Sequence, residues 1–302
     1  VNPGNYAVAA DLSQLAVFGV CLQVQTSAVQ IDCKGHMISG IQLSGVNGIS
    51  IANCGRGTLV SVDKSTNVTI AHSALLGLYL TNGSGNLVLE NTFDGGYDGS
   101  RNPVGQDDGI VFGDETNDVI EGNIIRNVFD AGIEGVDAIT NSKIVNNTIV
   151  NAGVAGIASY WCTSWIGNTI SGNSVSNSER LARFLYDVGQ GKCLNLSTSG
   201  AFVNNQFIGN RFTNPVGFID GMFFGFSNLP GGPVLGNLLQ SNDLGATAGP
   251  FTDPASGFID GGGNICAQGT SPYCGSAVAF RLGPWRSPAS ARLGSRRARS
   301  VN

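Results

Sequence analysis

Ile120-Glu-Gly-Asn123-Ile-Ile125, Ile144-Val-Asn-Asn147-Thr-Ile149 and Ile170-Ser-Gly-Asn173-Ser-Val175 are one phrase written three times. It reads apolar, two residues, Asn, one residue, apolar. Three further copies are Val88–Asn91–Phe93, Phe207–Asn210–Phe212 and Leu239–Asn242–Leu244. Successive Asn are 32, 24, 26, 37 and 32 residues apart. A repeat of that length marks a stacked array, not a single-core globule.

A second ladder runs ahead of the first. A small residue followed by apolar-x-apolar, or a close variant, stands at Gly40-Ile41-Gln-Leu43, Gly77-Leu78-Tyr-Leu80, Gly109-Ile110-Val-Phe112, Gly132-Ile133-Glu134, Gly156-Ile157-Ala158 and Gly221-Met222-Phe-Phe224. Each repeat therefore holds at least two short strands of period two, separated by Gly and Asn turns. Only Ser178–Val188 suggests a helical period, with Glu179 and Arg183 four residues apart. These features predict an all-β parallel solenoid of about ten coils, stacked at roughly 4.8 Å. Asn suits its corners, because it tolerates left-handed backbone angles and its amide can bond from coil to coil.

Composition agrees. Gly is 44 of 302 residues, charged residues are 12% and hydrophobic residues 42%, which excludes disorder of the body. We expect one elongated domain over 1–280: a cap and first coils over 1–40, stacked repeats over 41–265, and a C-terminal cap over 266–280. Residues 281–302 carry six Arg and no acid, and read as an unstructured extension. The other 280 residues carry ten Lys/Arg against 21 Asp/Glu, a net of −11, which argues against nucleic acid as a partner. No apolar run is long enough to span a membrane.

There are seven Cys and two His, without zinc-type spacing. Cys266/Cys274 and Cys162/Cys193 are candidate disulfides, whereas Cys33 and Cys54 read as stacked core thiols. The chain begins at Val1 without Met, and the expectation is a processed protein, secreted or periplasmic.

The opening segments Tyr6-Ala-Val-Ala-Ala-Asp11-Leu12, Cys21-Leu-Gln-Val24 and Val29-Gln-Ile31-Asp32-Cys33-Lys-Gly35-His36-Met-Ile38-Ser-Gly40 resemble the first coils of secreted right-handed parallel β-helix proteins. These are the pectin lyase-like fold of pectate lyases, polygalacturonases and NosD-like repeat proteins. The resemblance implies a right-handed helix over most of residues 1–265, and is poor for function. Of the polygalacturonase motifs only Asp107-Asp108-Gly109-Ile110 has a counterpart, on the Asp-Asp element. Asn-Thr-Asp, Gly-His-Gly and Arg-Ile-Lys are missing, as are the Arg-centred motifs of pectate lyases.

Acid is concentrated: eleven of the 21 carboxylates lie between Asp94 and Asp137. The same stretch carries the long insertion Asp94-Gly-Gly-Tyr97-Asp-Gly-Ser-Arg101-Asn-Pro-Val-Gly-Gln-Asp107-Asp108, and long loops commonly carry binding residues. Aligning Gly109 with Gly132 and Gly156 stacks Asp107 on Asp130, and Asp114 on Asp137 and Trp161. If Ile110 and Ile133 point inward, then Asp107, Asp130 and Glu134 point outward. Close carboxylates raise one pKa or hold a cation such as Ca²⁺ between Asp107 and Asp130.

The first expectation is therefore a polysaccharide hydrolase or lyase. In a hydrolase, Asp107, Asp108, Asp130 and Glu134 are the candidate acid and base or nucleophile. A separation near ~5 Å would give retention, and about 6.5–9.5 Å inversion. In a lyase, Ca²⁺ on the carboxylates would meet a uronate, with Arg101 or Lys143 as base. Tyr97, Tyr160 and Trp161 offer aromatic surfaces for sugar, Arg101 a partner for a uronate carboxylate, and Asp137 and Lys143 complete the candidate substrate contacts. The alternative is a non-catalytic surface solenoid that binds glycan or protein. An accessory role like that of NosD-like proteins has only the repeat behind it.

Overall fold

The structure is a computed structural model. It describes residues 2–12, 19–99, 105–185, 200–217, 220–226, 232–253, 255–267 and 271–274; the side chains of 161–163 and 255 lie outside the description. Arg101, the Cys162/Cys193 pair, residues 275–280 of the expected cap and the basic tail fall outside it as well.

All described strand pairings are parallel. One sheet has eleven strands, from Gly4–Ala7 to Phe258–Asp260, one per coil. A second face runs from Leu22–Val24 through Ile110–Thr116, Ala131–Thr140, Ala155–Ile166 and Arg180–Leu185 to Pro250–Asp253. Short strands such as Ile124–Val128 and Thr148–Ala152 form a third. The middle coils thus hold three strands where the sequence pattern required at least two. The expected helix at Ser178–Val188 is instead the strand Arg180–Leu185 as far as the description reaches. Pairing on the neighbouring coils overrides the local Glu179/Arg183 spacing.

The core is a set of stacked columns. Ile31, Ile51, Ile70, Val88, Ile120, Ile144, Ile170, Phe207 and Leu239 stand in register along the eleven-stranded sheet, and all are buried. Toward the C-terminal end the core turns aromatic, with Phe184, Phe202, Phe207 and Phe224 in mutual contact. The glycine ladder has a steric cause. A Cβ on Gly109, Gly132 or Gly156 would collide with the side chain of Ile125, Ile149 or Val175 on the facing strand.

The repeated Asn is a buried ladder, not a left-handed corner. Asn91, Asn123, Asn147, Asn173, Asn210, Asn242 and Asn264 are at most 3% exposed, and the described positive-φ residues include none of them. The turns use other residues for that, among them Asn127, Asn146 and Asn151. The Asn147 amide donates to Ile120 O at 2.9 Å and to Asn173 Oδ1 at 3.0 Å. Its own Oδ1 accepts from Asn123 N at 2.9 Å and Asn123 Nδ2 at 3.0 Å. A second ladder lies five residues earlier, at the other end of the same strands: Asn86, Asp118, Ser142, Asn168, Asn205 and Asn237.

Two disulfides close among the described residues, Cys33–Cys54 and Cys266–Cys274. The second was expected. The first corrects the reading of Cys33 and Cys54 as thiols: stacking on adjacent coils brings the buried pair to a Cα separation of 4.6 Å. No helix of the described chain is long and apolar enough to cross a membrane.

Asn147→Ala removes the side-chain donor to Ile120 O and the acceptor of Asn123 N. We expect it to destabilise the fold by about 3 kcal/mol, measured by chemical denaturation, whereas Asn146→Ala on the exposed turn should cost less.

Candidate active site

Registry brings the acids together. Asp130 N donates to Asp107 O at 2.7 Å, and Phe129 N to Gln106 O at 3.2 Å, so the end of the long insertion is pinned to the next coil. Ile110 pairs with Ile133 and Val111 with Glu134, as the alignment predicted. Ile110 and Ile133 are buried in the core. By alternation Glu134 therefore belongs to the outward row Tyr79, Val111, Glu134, Ala158, Arg183. It is only 8% exposed, so this outward acid is covered and not simply solvated.

The start of the insertion is clamped. Asp94 accepts from Arg56 Nη2 and Arg126 Nε, both at 3.1 Å, from Asn127 Nδ2 at 3.0 Å and from Gly96 N at 3.3 Å. Burial works against its charge, but Asn127, Arg126, the Gly96 amide and Arg56 together hold its pKa below the ordinary range. Arg126 thus has a structural partner in Asp94.

Asp108, on the outward face, is strongly perturbed. Its Oδ1 accepts from Ala131 N at 2.9 Å, and its carboxyl is hydrogen-bonded to that of Glu134. Burial is the largest effect; the Glu134 and Ala131 hydrogen bonds oppose it and the Asp130 and Asp107 charges add to it, leaving the pKa at about 6. Asp130 is also raised, chiefly by burial, with Arg183 pulling down and Asp107 pushing up. Its Oδ1 is buried with no hydrogen-bond partner. Tyr160 lies beside it, under the Arg183 guanidinium at 5.4 Å from the ring centroid. Burial and the Asp130 charge push the Tyr160 phenol up. Tyr79 and Gln106 complete the rim, 3.5 Å apart through Tyr79 Oη and Gln106 Oε1, and burial with the charges of Asp108, Asp107 and Glu134 raises the Tyr79 pKa.

Asp107, Asp108, Asp130, Glu134 and Tyr160 are thus gathered. Tyr97 lies at the base of the insertion, edge-on to Phe129 at 5.6 Å. Asp137 is three residues further along the strand than Glu134, at positive φ like Asp114: both sit at bulges inside their strands, where the register shifts, and Asp137 is about 10 Å away by strand rise. Lys143 is exposed on the eleven-stranded sheet, a different face, so it is not brought to the cluster. The side chain of Trp161 lies outside the description. Tyr79, Gln106 and Arg183 went unrecognised in the sequence. The register of Gly77 with Gly109 could have pointed to Tyr79, but Arg183 was hidden by the helical reading.

The Ca²⁺ expectation fits poorly. No group of three or more His, Cys, Asp or Glu among the described residues could hold a metal ion. Asp130 already faces the cation of Arg183. Two further acids belong to the interior: Glu115 and Asp118, each 1% exposed, share Asn86, which donates to Asp118 Oδ1 from N at 2.7 Å and to Glu115 Oε2 from Nδ2 at 3.0 Å.

Residues 27–212 match the family described as the right handed beta helix region. The match covers more than half of the chain, and the chain belongs to that family: it is an all-β, right-handed parallel β-helix. Similar solved structures include a DFA-IIIase from Arthrobacter chlorophenolicus without its lid, at 12% identity over 82% of this chain and 67% of that one, TM-score 0.46. They also include PfbA, a surface adhesin of Streptococcus pneumoniae, at 11% identity over 80% and 76%, TM-score 0.40. A mutant of the periplasmic alginate epimerase AlgG matches at 12% identity over 88% and 83%, TM-score 0.41. No curated protein matches the sequence.

The interior pair generates a stability prediction. Burial and the neighbouring Asp118 push Glu115 from 4.5 up to about 9. Between those values the unfolded chain releases the proton and the folded chain keeps it, so stability falls as pH rises through that window. Glu115→Gln should flatten this slope and raise the melting temperature at pH 8, as calorimetry across pH 4–9 would register.

Proposed function

We propose that the chain is a polysaccharide-active glycoside hydrolase of an oxidising compartment, secreted or periplasmic. The observation that carries the reading is the hydrogen-bonded Asp108–Glu134 pair beside Asp107 and Asp130, with Asp108 at about 6. A carboxyl that keeps its proton near neutral pH is the requirement for protonating a glycosidic oxygen. Asp108 serves as general acid. Asp107 or Asp130 serves as base or nucleophile, and Glu134 orients the Asp108 carboxyl through their hydrogen bond. The Arg183 charge favours the ionised form of Asp130.

Hydrolysis is favoured over lyase chemistry by the choice of bases. Lys143 is on another face, and the described acidic face offers Arg183, a guanidinium that stays protonated and lies over the Tyr160 ring. Two disulfides support an oxidising compartment.

The test is a polysaccharide panel read by reducing ends and by absorbance of unsaturated uronate. We expect reducing ends without the unsaturated signal. Asp108→Asn should lower kcat at least about 100-fold, and activity should decline as pH rises past about 6, where the acid loses its proton. Unsaturated products would overturn the hydrolase, and full activity in Asp108→Asn would overturn the assignment of the acid. A panel without activity, from protein that folds, would favour a non-catalytic binding solenoid.

A further inference from the structure

The outward row that holds Glu134 continues toward the C-terminal end as Ala158, Arg183, Phe223 and Phe251. Two phenylalanines on an outward row are not core residues, and Phe251 is 50% exposed. Their rings nonetheless form an ordered stack, 5.4 Å between centroids and 11° from parallel. The Arg180 guanidinium lies over the Phe223 ring at 5.4 Å. Arg180 is itself buried, with Asp220 at 3.7 Å and Glu179 at 4.0 Å. A buried, ion-paired cation therefore backs an aromatic pair whose last ring faces outward. Burying that cation is unfavourable unless it is paired, and here the pairing holds a ring at the surface. Phe251 makes no second ring contact among the described residues.

Three coil steps separate Glu134 from Phe223, roughly 14 Å along the axis. An oligosaccharide lying along the row would therefore reach the stack while one of its bonds lies over Asp108. The surroundings select against charge on that ligand. Residues 1–280 carry a net −11, Arg180 is neutralised by Asp220 and Glu179, and Arg183 faces Asp130. A uronate polymer would meet repulsion from the carboxylates of this face, and the cation of this row, Arg183, lies over the Tyr160 ring within reach of the Asp130 charge, whereas an uncharged sugar presents C–H faces that suit an aromatic ring.

We propose that Phe251, backed by Phe223 and Arg180, is a stacking subsite for an uncharged sugar ring of a neutral glycan that extends from the carboxylates toward the C-terminal end. This rests on the glycan-active reading of the same face. The experiment is affinity electrophoresis of the full chain in gels containing a β-glucan, an α-glucan, a fructan, polygalacturonate or alginate, with hydrolysis assayed in parallel. A neutral polymer should retard the protein. Phe251→Ala should weaken binding roughly five- to tenfold, and Phe251→Trp should restore it. Parent-like retardation of Phe251→Ala, retardation by the polyanions alone, or none by any polymer would overturn the subsite. Lost binding in Phe251→Ala with full hydrolysis in Asp108→Asn would leave the subsite standing and remove the catalytic assignment instead.

Discussion

The hydrogen bond from one buried asparagine amide to the next, coil upon coil, is the constraint on which the rest of this molecule depends. Apolar columns alone are non-directional and would tolerate a slipped coil. The Asn123–Asn147–Asn173 ladder does not, because a shift would bury several unsatisfied amide groups at once. The companion ladder at the other end of the same strands, Asn168–Asn205–Asn237, fixes the short strands from both sides. With register fixed there, side chains more than twenty residues apart in sequence are forced into neighbouring positions on the other faces.

The acidic face is a product of that register. Asp107 and Asp108 arrive at the end of an insertion whose other end is fastened by Asp94 to Arg56 and Arg126. Asp130 and Glu134 arrive on the next coil, and Arg183 two coils beyond Glu134. Each group alone would be an ordinary surface charge. Stacked together, they raise the proton affinities of the part-buried Asp108 and Asp130, and the same stacking places Phe223 and Phe251 further along the row. Glu115 and Asp118 show the contrasting case: Asp118 stands in an asparagine position of the second ladder, and its chemistry is directed inward.

Much of this was legible in the chain. The Asn phrase and the Gly ladder gave the parallel stack and the pairing of Asp107 with Asp130, because both periods are printed directly in residue identity. What was not legible has physical causes. The second ladder mixes Asn with Asp118 and Ser142, so it does not read as a repeat. Cys33 and Cys54 looked like any two buried thiols until adjacent coils placed them together. Arg183 sat in a plausible helical spacing that tertiary pairing overrode, and Lys143 was assigned by sequence proximity although its strand belongs to another sheet. The raised pKa of Asp108 depends first on side-chain burial, which a one-dimensional pattern does not carry.

The central claim is that coil registry creates a covered carboxyl cluster in which Asp108 retains its proton toward neutral pH. Site-resolved carboxyl ¹³C NMR titration of Asp108 tests it most directly. The account predicts a midpoint of about 6, with a second inflection in the same resonance as its carboxyl neighbours ionise. A single midpoint in the ordinary aspartate range would contradict it, and would reduce the cluster to separate, solvated surface acids.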